Sequence, residues 1–354
     1  MLTSTVTTQF PGAMGPEGFI SCFDHLMDED ILRRMLILKG GPGVGKSTFM
    51  RRLHAALTEN GEPSTLYFCS GDPDSLDAVA IPAHGLLILD GTAPHIVDPK
   101  FPGARDSLIN LGVCLNEAAM RPRLPHIRAC MKDHAACSRR ARSFMRSIQA
   151  LKRESASSVE ECTDARRLAR MTDALIASVI PEKNPDDQQA IAYPVITDAL
   201  TPKGEICLLC AAQNQRVIRL AHHFAMDLTP VLRALSQAAR LAGYAVREHL
   251  APLSPGSLLH LSIPALCTLV TTSDTLPSEQ IFDFSACLPS GSILRRECAL
   301  EQSRAAILRH TQLAADAMAQ AKQLHDELET FYVPNMDFGR WQTIYDETLR
   351  SLQA

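Results

Sequence analysis

Short apolar runs alternate with longer amphipathic stretches in the first part of the chain. The run Met35–Leu38 predicts a buried strand, and the amphipathic stretch Lys46–Thr58 predicts a helix that ends near Gly61. Two further runs, Thr65–Cys69 and Leu86–Leu89, predict a second and a third strand. Because strands that alternate with helices are typical of parallel sheets, the pattern predicts an α/β fold, a P-loop NTPase-like parallel sheet with flanking helices.

The same pattern returns later in the chain. Arg34–Thr92 aligns without a gap to Arg216–Asp274, an offset of 182 residues, and 13 of the 59 aligned positions are identical. About four or five identities are expected by chance in such a comparison. The corresponding strands and helix of the second copy are Val217–Leu220, Thr229–Leu241 and Thr268–Thr271. The chain is therefore predicted to hold two tandem copies of one α/β unit.

Long helical patterns follow the strands of each copy, and we expect each copy to carry its own attached helical pair. The predicted helices are Leu115–Arg153 and Ser158–Ile180 in copy one, and Leu294–Phe331 and Phe338–Leu352 in copy two. Between the copies, the proline-containing polar stretch PEKNPDDQQ predicts a linker over residues 181–190. The two domains then span residues 1–180 and 191–354.

A glycine-rich loop between the first strand and the first helix carries the clearest chemical signal. It matches the phosphate-binding pattern G-x-x-x-x-G-K-[ST] through Gly40, Gly41, Pro42, Gly43, Val44, Gly45, Lys46 and Ser47. Glycines allow backbone N–H groups to surround a phosphate closely, and the start of a helix adds its positive dipole end. We expect Lys46 to reach the β- and γ-phosphates, Ser47 to hold magnesium and Thr48 to contact the α-phosphate. The loop predicts binding of ATP with Mg²⁺.

An aspartate at the end of the third predicted strand supports this interpretation. Asp90 directly follows Leu86–Leu89, as in the Walker B pattern, where the carboxylate holds magnesium, usually through water. The next residue is Gly91, whereas motor-type ATPases usually carry there the glutamate that activates water. A catalytic base, if the chain has one, must therefore come from another position.

Three further residues are candidates for catalytic roles. Asp72 and Asp74 follow the second strand, at the edge of the sheet where ligands bind, and either carboxylate could accept a proton. The alternative is that the two aspartates cap a turn or a helix. His95 lies in the loop after Asp90 and is a candidate for contact with the γ-phosphate, with a structural role as the alternative.

The second copy lacks these groups. Its loop position reads HHFAMDLT over residues 222–229, without glycine; Leu228 replaces the lysine and Thr272 replaces Asp90. We expect this copy to bind no nucleotide and to pack on the first copy as a built-in pseudo-dimer. A second interpretation is that it presents an arginine to the neighbouring site, with three candidates: Arg216, Arg219 and Arg233.

Composition and charge limit the remaining classes. The 354 residues are 46% hydrophobic and 21% charged with a formal net charge of -4, which is ordinary for a globular protein. The start of the chain does not resemble a signal peptide, and no apolar run is long enough for a membrane span. The eleven scattered cysteines indicate reduced thiols in a cytoplasmic protein. The stretch Arg121–Arg153 is basic but has few aromatics, so pairing with the acidic helix Asp316–Glu329 is favoured over nucleic-acid binding.

Three segments together resemble a little-characterised bacterial family of tandem P-loop ATPases. They read GGPGVGKST, SGDPDSLDAVAIP and LLILDGTAPHIVDPKFPG, and the segment Thr330–Trp341 near the end also agrees. The resemblance implies ATP binding and a two-copy architecture, and it supplies no substrate. Three functions stay open: an ATPase acting as a switch, a small-molecule kinase that uses Asp72 or Asp74 as the base, and a nucleotide-binding scaffold with negligible turnover.

Overall fold

The computed structural model describes residues 6–26, 32–93, 96–181, 190–209 and 216–353. We call residues 6–181 the first half and residues 190–353 the second half. Each half contains one six-stranded sheet and one two-stranded hairpin, together with flanking helices. The predicted α/β class is therefore confirmed in its coarse form, with one sheet in each half.

The elements of the two halves run in parallel order. The first half contains β1 (Val6–Gln9), β2 (Gly12–Gly15), β3 (Gly18–Ser21), α1 (Phe23–Leu26), β4 (Arg34–Lys39), α2 (Lys46–Leu57), β5 (Ser64–Phe68), β6 (Leu76–Ile81), β7 (Leu86–Asp90), β8 (Asp106–Asn110), α3 (Glu117–Met120), α4 (Leu124–Glu160) and α5 (Ala165–Val179). The second half contains β9 (Ala192–Val195), β10 (Asp198–Thr201), β11 (Gly204–Cys207), β12 (Arg216–Ala221), α6 (Thr229–Leu241), β13 (Val246–Leu250), β14 (Leu258–Ile263), β15 (Thr268–Thr271), β16 (Gln280–Asp283), α7 (Glu297–Tyr332) and α8 (Phe338–Gln353).

Both sheets are mixed, so the prediction of parallel sheets is wrong. The strand order is β1-β5-β6-β7-β4-β8 in the first half and β9-β13-β14-β15-β12-β16 in the second, which is the same order. The neighbours β5–β6 and β6–β7 are antiparallel, and the other pairs of the first sheet are parallel. The reason is the short connection on each side of β6, since a few residues can join only antiparallel neighbours.

Equivalent contacts show that the two sheets share details at the predicted offset. The backbone N–H of Leu76 donates to Ser47 Oγ at 3.0 Å, and the N–H of Leu258 donates to Thr229 Oγ1 at 3.1 Å. A left-handed residue ends the turn after β6 in one half and the turn after β14 in the other. It is Gly85 in the first half and Cys267, with φ 45°, in the second. The repeat seen in the sequence is therefore a repeat in three dimensions.

The terminal helix of each half packs against the sheet of the other half. In the first half, Phe49 of α2 contacts Trp341 of α8, with ring centroids 5.4 Å apart in an edge-to-face arrangement. In the second half, Leu175 and Val179 of α5 join the core formed by α6 and its sheet. The prediction that each copy carries its own helical pair is therefore wrong. The amphipathic face of each terminal helix is buried on the opposite sheet.

Hydrogen bonds fix this exchange at both ends of each terminal helix. The N–H of Asp337 donates to the Cys114 carbonyl, and the N–H of Asp164 donates to the Cys287 carbonyl, both at 2.8 Å. At the other end, Arg34 donates to the Ser351 carbonyl at 2.6 Å. Arg216 donates in the same manner to the Ser178 carbonyl at 3.0 Å. The four contacts form two equivalent pairs, so the exchange is reciprocal.

The long helices α4 and α7 pack together in antiparallel orientation along the centre of the molecule. The Cys130 thiol near the start of α4 donates to the Leu324 carbonyl near the end of α7, and Phe144 stacks on His310 further along. Residues 182–189 of the predicted linker lie outside the described residues, so the boundaries at 180 and 191 stay predictions.

The structure also bears on the predictions about membrane spans and cysteines. Among the described segments, none of the helices combines the length and the apolar character that crossing a bilayer requires. The ten cysteines in the described residues are free thiols. The eleventh cysteine, Cys210, lies outside these residues.

Candidate functional site

The glycine-rich loop, Gly40–Ser47, lies where the direction of chain progression across the sheet reverses. The loop connects β4 to α2, and β4 pairs in parallel with β7 on one side and with β8 on the other. From β4 the chain first builds the strands on the β7 side, and it then crosses to the other side to form β8. The carboxyl ends of strands at such a reversal form the crevice in which open α/β sheets bind ligands.

The backbone of the loop requires glycine at several positions. Gly43 and Gly45 adopt left-handed conformations with φ of 67° and 81°, and Gly40 has φ 151°. Gly45 immediately precedes α2 and brings no side chain to cap it. The first amides of α2, from Lys46 to Thr48, therefore lack an acceptor one turn before them. Such an uncapped helix start attracts anions through its N–H groups and its dipole.

Lys46 lies across the mouth of the loop and faces Asp90. Its Nζ donates to the carbonyls of Gly40 at 3.2 Å and Gly41 at 2.9 Å, and it lies 3.5 Å from Asp90 Oδ2. Both side chains are mostly buried, with exposed fractions of 13% and 15%. The other oxygen of Asp90 accepts hydrogen bonds from the N–H and the hydroxyl of Thr92. The structure thus brings together the predicted lysine and the predicted strand-end aspartate.

The remaining loop residues lie as a strand–loop–helix connection requires. Val44 is 1% exposed and packs into the core beneath α2, whereas Pro42 is half-buried and Thr48 is exposed on the first turn of the helix. The hydroxyl of Ser47 accepts the Leu76 hydrogen bond described above, which places the start of β6 beside the loop.

The two candidate bases, Asp72 and Asp74, form a turn and pair with lysines of the second half. Ser75 donates its N–H to the Asp72 carbonyl and its hydroxyl to Asp72 Oδ2, both at 2.8 Å. Lys322 of α7 lies 3.6 Å from Asp72 Oδ2, and Lys203 donates to both carboxylate oxygens of Asp74. The hydrogen bond from Lys203 lowers the pKa of Asp74, so this carboxylate is a weaker base than an ordinary aspartate. These contacts favour the turn interpretation of the sequence.

The structure explains why glycine follows Asp90. A Cβ atom at Gly91 would lie 2.4 Å from Ile37 Cγ2 and 3.0 Å from the Val97 carbonyl oxygen, so any side chain there would force its neighbours to move. Lys39, at the end of β4, donates to the carbonyls of Gly91 and Val97 and so fixes the loop after β7. His95, the candidate for γ-phosphate contact, lies outside the described residues.

Residues of the second half cover the glycine-rich loop, which the sequence did not reveal. We call Glu329–Trp341, from the end of α7 to the first turn of α8, the cover segment. Oε1 of Glu329 accepts a hydrogen bond from the N–H of Gly43 at 3.2 Å. The Tyr332 ring lies 3.1 Å from the position of a Cβ at Gly41, and Val333 Cγ2 lies 2.8 Å from that of Gly43. The only signal for this segment in the sequence was that Thr330–Trp341 agrees with the tandem P-loop ATPase family that the chain resembles.

Trp341 completes the cover beside Gly45. Its Nε1 lies 3.1 Å from the position that a Cβ at Gly45 would occupy. The side chain is only 5% exposed, and its indole N–H finds no acceptor among the described residues. The indole N–H beside Gly45 is therefore available to a hydrogen-bond acceptor.

The corresponding loop of the second half is closed by its own side chains. Met226 and Leu228 are buried in the core beneath α6, and Asp227 accepts a hydrogen bond from the N–H of Thr229 at the helix start. A carboxylate already occupies this position, which disfavours a second anion. Arg216 and Arg233 donate to carbonyls of Ser178 and Gly256, so these two candidate arginines serve structural contacts in this state.

Comparison with protein-family models, with curated proteins and with solved structures finds no match for this chain. The resemblance to tandem P-loop ATPases therefore stays a prediction. In the part of the chain that the structure describes, no three His, Cys, Asp or Glu side chains converge on a common metal position. A magnesium ion would have to draw its other ligands from phosphate and water, as it commonly does.

Proposed function

We propose that the chain binds Mg·ATP at the glycine-rich loop of its first half and acts as an ATPase. One observation carries the proposal. At the reversal point of the sheet, the uncapped start of α2 follows left-handed Gly45, and the Lys46 side chain lies beside Asp90. Backbone N–H groups and a lysine at this point are the groups that hold nucleotide phosphates in P-loop proteins.

The residues beside the loop suit the magnesium complex as well. Ser47 would supply its hydroxyl oxygen, and Asp90 would hold the hydrated ion from the end of β7. The bound ion would offset phosphate charge. In the structure, Lys46 donates hydrogen bonds to the carbonyls of Gly40 and Gly41 in its own loop. An anion with several oxygens offers the ammonium group stronger, charge-assisted partners.

The contacts of Asp74 favour an ATPase over a kinase that uses this residue as its base. A kinase of the kind considered above would need Asp72 or Asp74 free to accept a proton from a substrate hydroxyl. Asp74 is instead engaged through both oxygens by Lys203, whereas Ser75 and Lys322 engage only Oδ2 of Asp72.

Titration of the purified chain with Mg·ATP tests the proposal. Trp341 is the only tryptophan and lies against the loop, so its fluorescence reports binding directly. We expect saturable binding to the unaltered protein, together with phosphate release without an added acceptor. Lys46→Ala should lose binding, whereas Lys132→Ala, which removes an equal charge from an exposed position on α4, should retain it.

The outcomes separate the three functions. Binding without phosphate release selects the scaffold, and release only with a metabolite acceptor selects the kinase. If neither calorimetry nor fluorescence detects Mg·ATP binding to folded protein, the proposal is wrong.

A further inference from the structure

We propose that Glu329 is a built-in competitor of the nucleotide: its carboxylate occupies part of the anion site in the glycine-rich loop, and phosphate must displace it. This inference rests on the proposed function and concerns the regulation of the same site. Glu329 belongs to α7 of the second half, so access to the loop depends on the position of that helix.

The position of the carboxylate supports this role. Glu329 Oε1 accepts from the N–H of Gly43, an amide of the loop whose N–H groups would otherwise cradle phosphate. Its Cβ lies 3.4 Å from the position of a Cβ at Gly43, so the side chain enters directly over the loop. Oε1 also lies 4.0 Å from His325 Nδ1, one turn earlier on α7. A carboxylate oxygen and a phosphate oxygen are both anionic acceptors and cannot share one amide.

The cover segment restricts the space around the loop in the same manner. Val333 and Tyr332 contact the positions of Gly43 and Gly41 at the distances given above. The segment is held to the first half by the Asp337–Cys114 contact and by the N–H of Asn116, which donates to the Asn335 carbonyl at 2.9 Å. Displacing Glu329 therefore disturbs the end of α7, which packs along α4.

The second half provides an internal comparison. The reciprocal contacts of Asp164 and Asp337 relate the two terminal helices by 173 residues, which places Ala156 at the position equivalent to Glu329. The equivalent loop of the second half, residues 222–229, has no glycine and carries buried Met226 and Leu228. Of the two equivalent helix positions, only the one beside the glycine-rich loop carries a carboxylate, whereas the start of α6 receives its carboxylate from Asp227 within its own loop.

Two variants test the inference in the full chain. Glu329→Gln removes the charge at almost unchanged shape, and Glu329→Asp keeps the charge but shortens the side chain by one methylene. Gln offers the Gly43 N–H only a neutral acceptor, and the shorter Asp side chain moves its carboxylate away from Gly43. Because the competing hydrogen bond is weakened in both variants, both should bind Mg·ATP more tightly, by roughly tenfold. Glu327→Gln is the matched control, since it makes the same charge change at an exposed position of α7 and should leave the dissociation constant unchanged.

The dissociation constants, measured by calorimetry and by Trp341 fluorescence, decide the matter. Unchanged or weaker binding in both Glu329 variants, with normal binding by the unaltered protein, overturns the inference but leaves the proposed function intact. Equal tightening in Glu327→Gln also overturns it, because the effect would then reflect net charge. If all four proteins fail to bind Mg·ATP, the proposed function itself is wrong.

Hydrogen exchange adds an independent measurement. Displacement of Glu329 should speed exchange in peptides covering Glu329–Trp341 when Mg·ATP is added to the unaltered protein. Exchange that stays the same or slows in this segment contradicts the inference. A thermal unfolding curve for each variant without nucleotide confirms that it is folded.

Discussion

The reciprocal exchange of terminal helices makes a prediction that runs against the order of the chain. Trp341 lies in the second half of the sequence but is buried, at 5% exposure, in the core beneath α2 of the first half. Leu175 lies in the first half of the sequence but is fully buried in the core of the second sheet. Truncating either side chain should therefore loosen the half to which it does not belong in sequence.

The expected magnitudes follow from the size of the cavity left behind. Trp341→Ala removes a ring that contacts Phe49 and should lower the free energy of unfolding by about 3–5 kcal/mol. Leu175→Ala should lower it by about 2–5 kcal/mol. Urea unfolding followed by circular dichroism measures both values, provided that the dependence on urea concentration stays the same in the variants.

Hydrogen exchange shows which half of the structure each substitution destabilises. Trp341→Ala should reduce protection in β4 and α2, with β12 and α6 less affected, and Leu175→Ala should show the opposite pattern. The two variants serve as controls for each other because each removes one buried side chain from a terminal helix. If each substitution instead loosens the sheet of its own half, the described exchange of helices is incorrect.

Two smaller predictions concern stability. Burial lowers the pKa of His249 from 6.5 to about 3. Between these two pH values the unfolded chain binds a proton at His249 and the folded chain does not. The free energy of unfolding is therefore highest above about pH 6.5 and should fall as the pH is lowered toward 3. His249→Gln should reduce the slope of unfolding free energy against pH in this window, by about 1.4 kcal/mol per pH unit, and an unchanged slope would contradict the assignment. Gly91→Ala should cost about 1–3 kcal/mol because its Cβ would meet Ile37 and Val97. Gly71→Ala is the control, since its Cβ would contact only Cys69 Sγ, at 3.7 Å, and equal costs would refute the argument.

Local patterns predicted the elements around the loop because their causes are local. The apolar runs that became β4 and β7, and the helix that became α2, were all recognised from the sequence. The repeat at a fixed offset also predicted that corresponding strands follow the same order in both halves. In contrast, β6 was not singled out, and its antiparallel pairing with β5 and β7 made the sheets mixed instead of parallel.

The exchange of helices and the cover segment could not be predicted in the same way. Sequence periodicity shows that α5 and α8 each have an apolar face, but it does not determine which sheet buries that face. Glu329 and Gly43 are 286 residues apart, and nothing in the local pattern around either residue indicates their hydrogen bond. Asp72 and Asp74 were ambiguous for a related reason, since their lysine partners come from distant segments.

The exchange of α5 and α8 also bears on why a copy without the phosphate-binding residues would persist. A second copy that lost its loop function could ordinarily drift or be deleted. Here its last helix completes the hydrophobic core beneath α2 of the first half, so deletion would expose Phe49 and its neighbours to water. We therefore expect substitutions to be tolerated at His222, His223 and Phe224, which are not buried, but not on the buried face of α8, so sequence change in the second copy should be unevenly distributed along it.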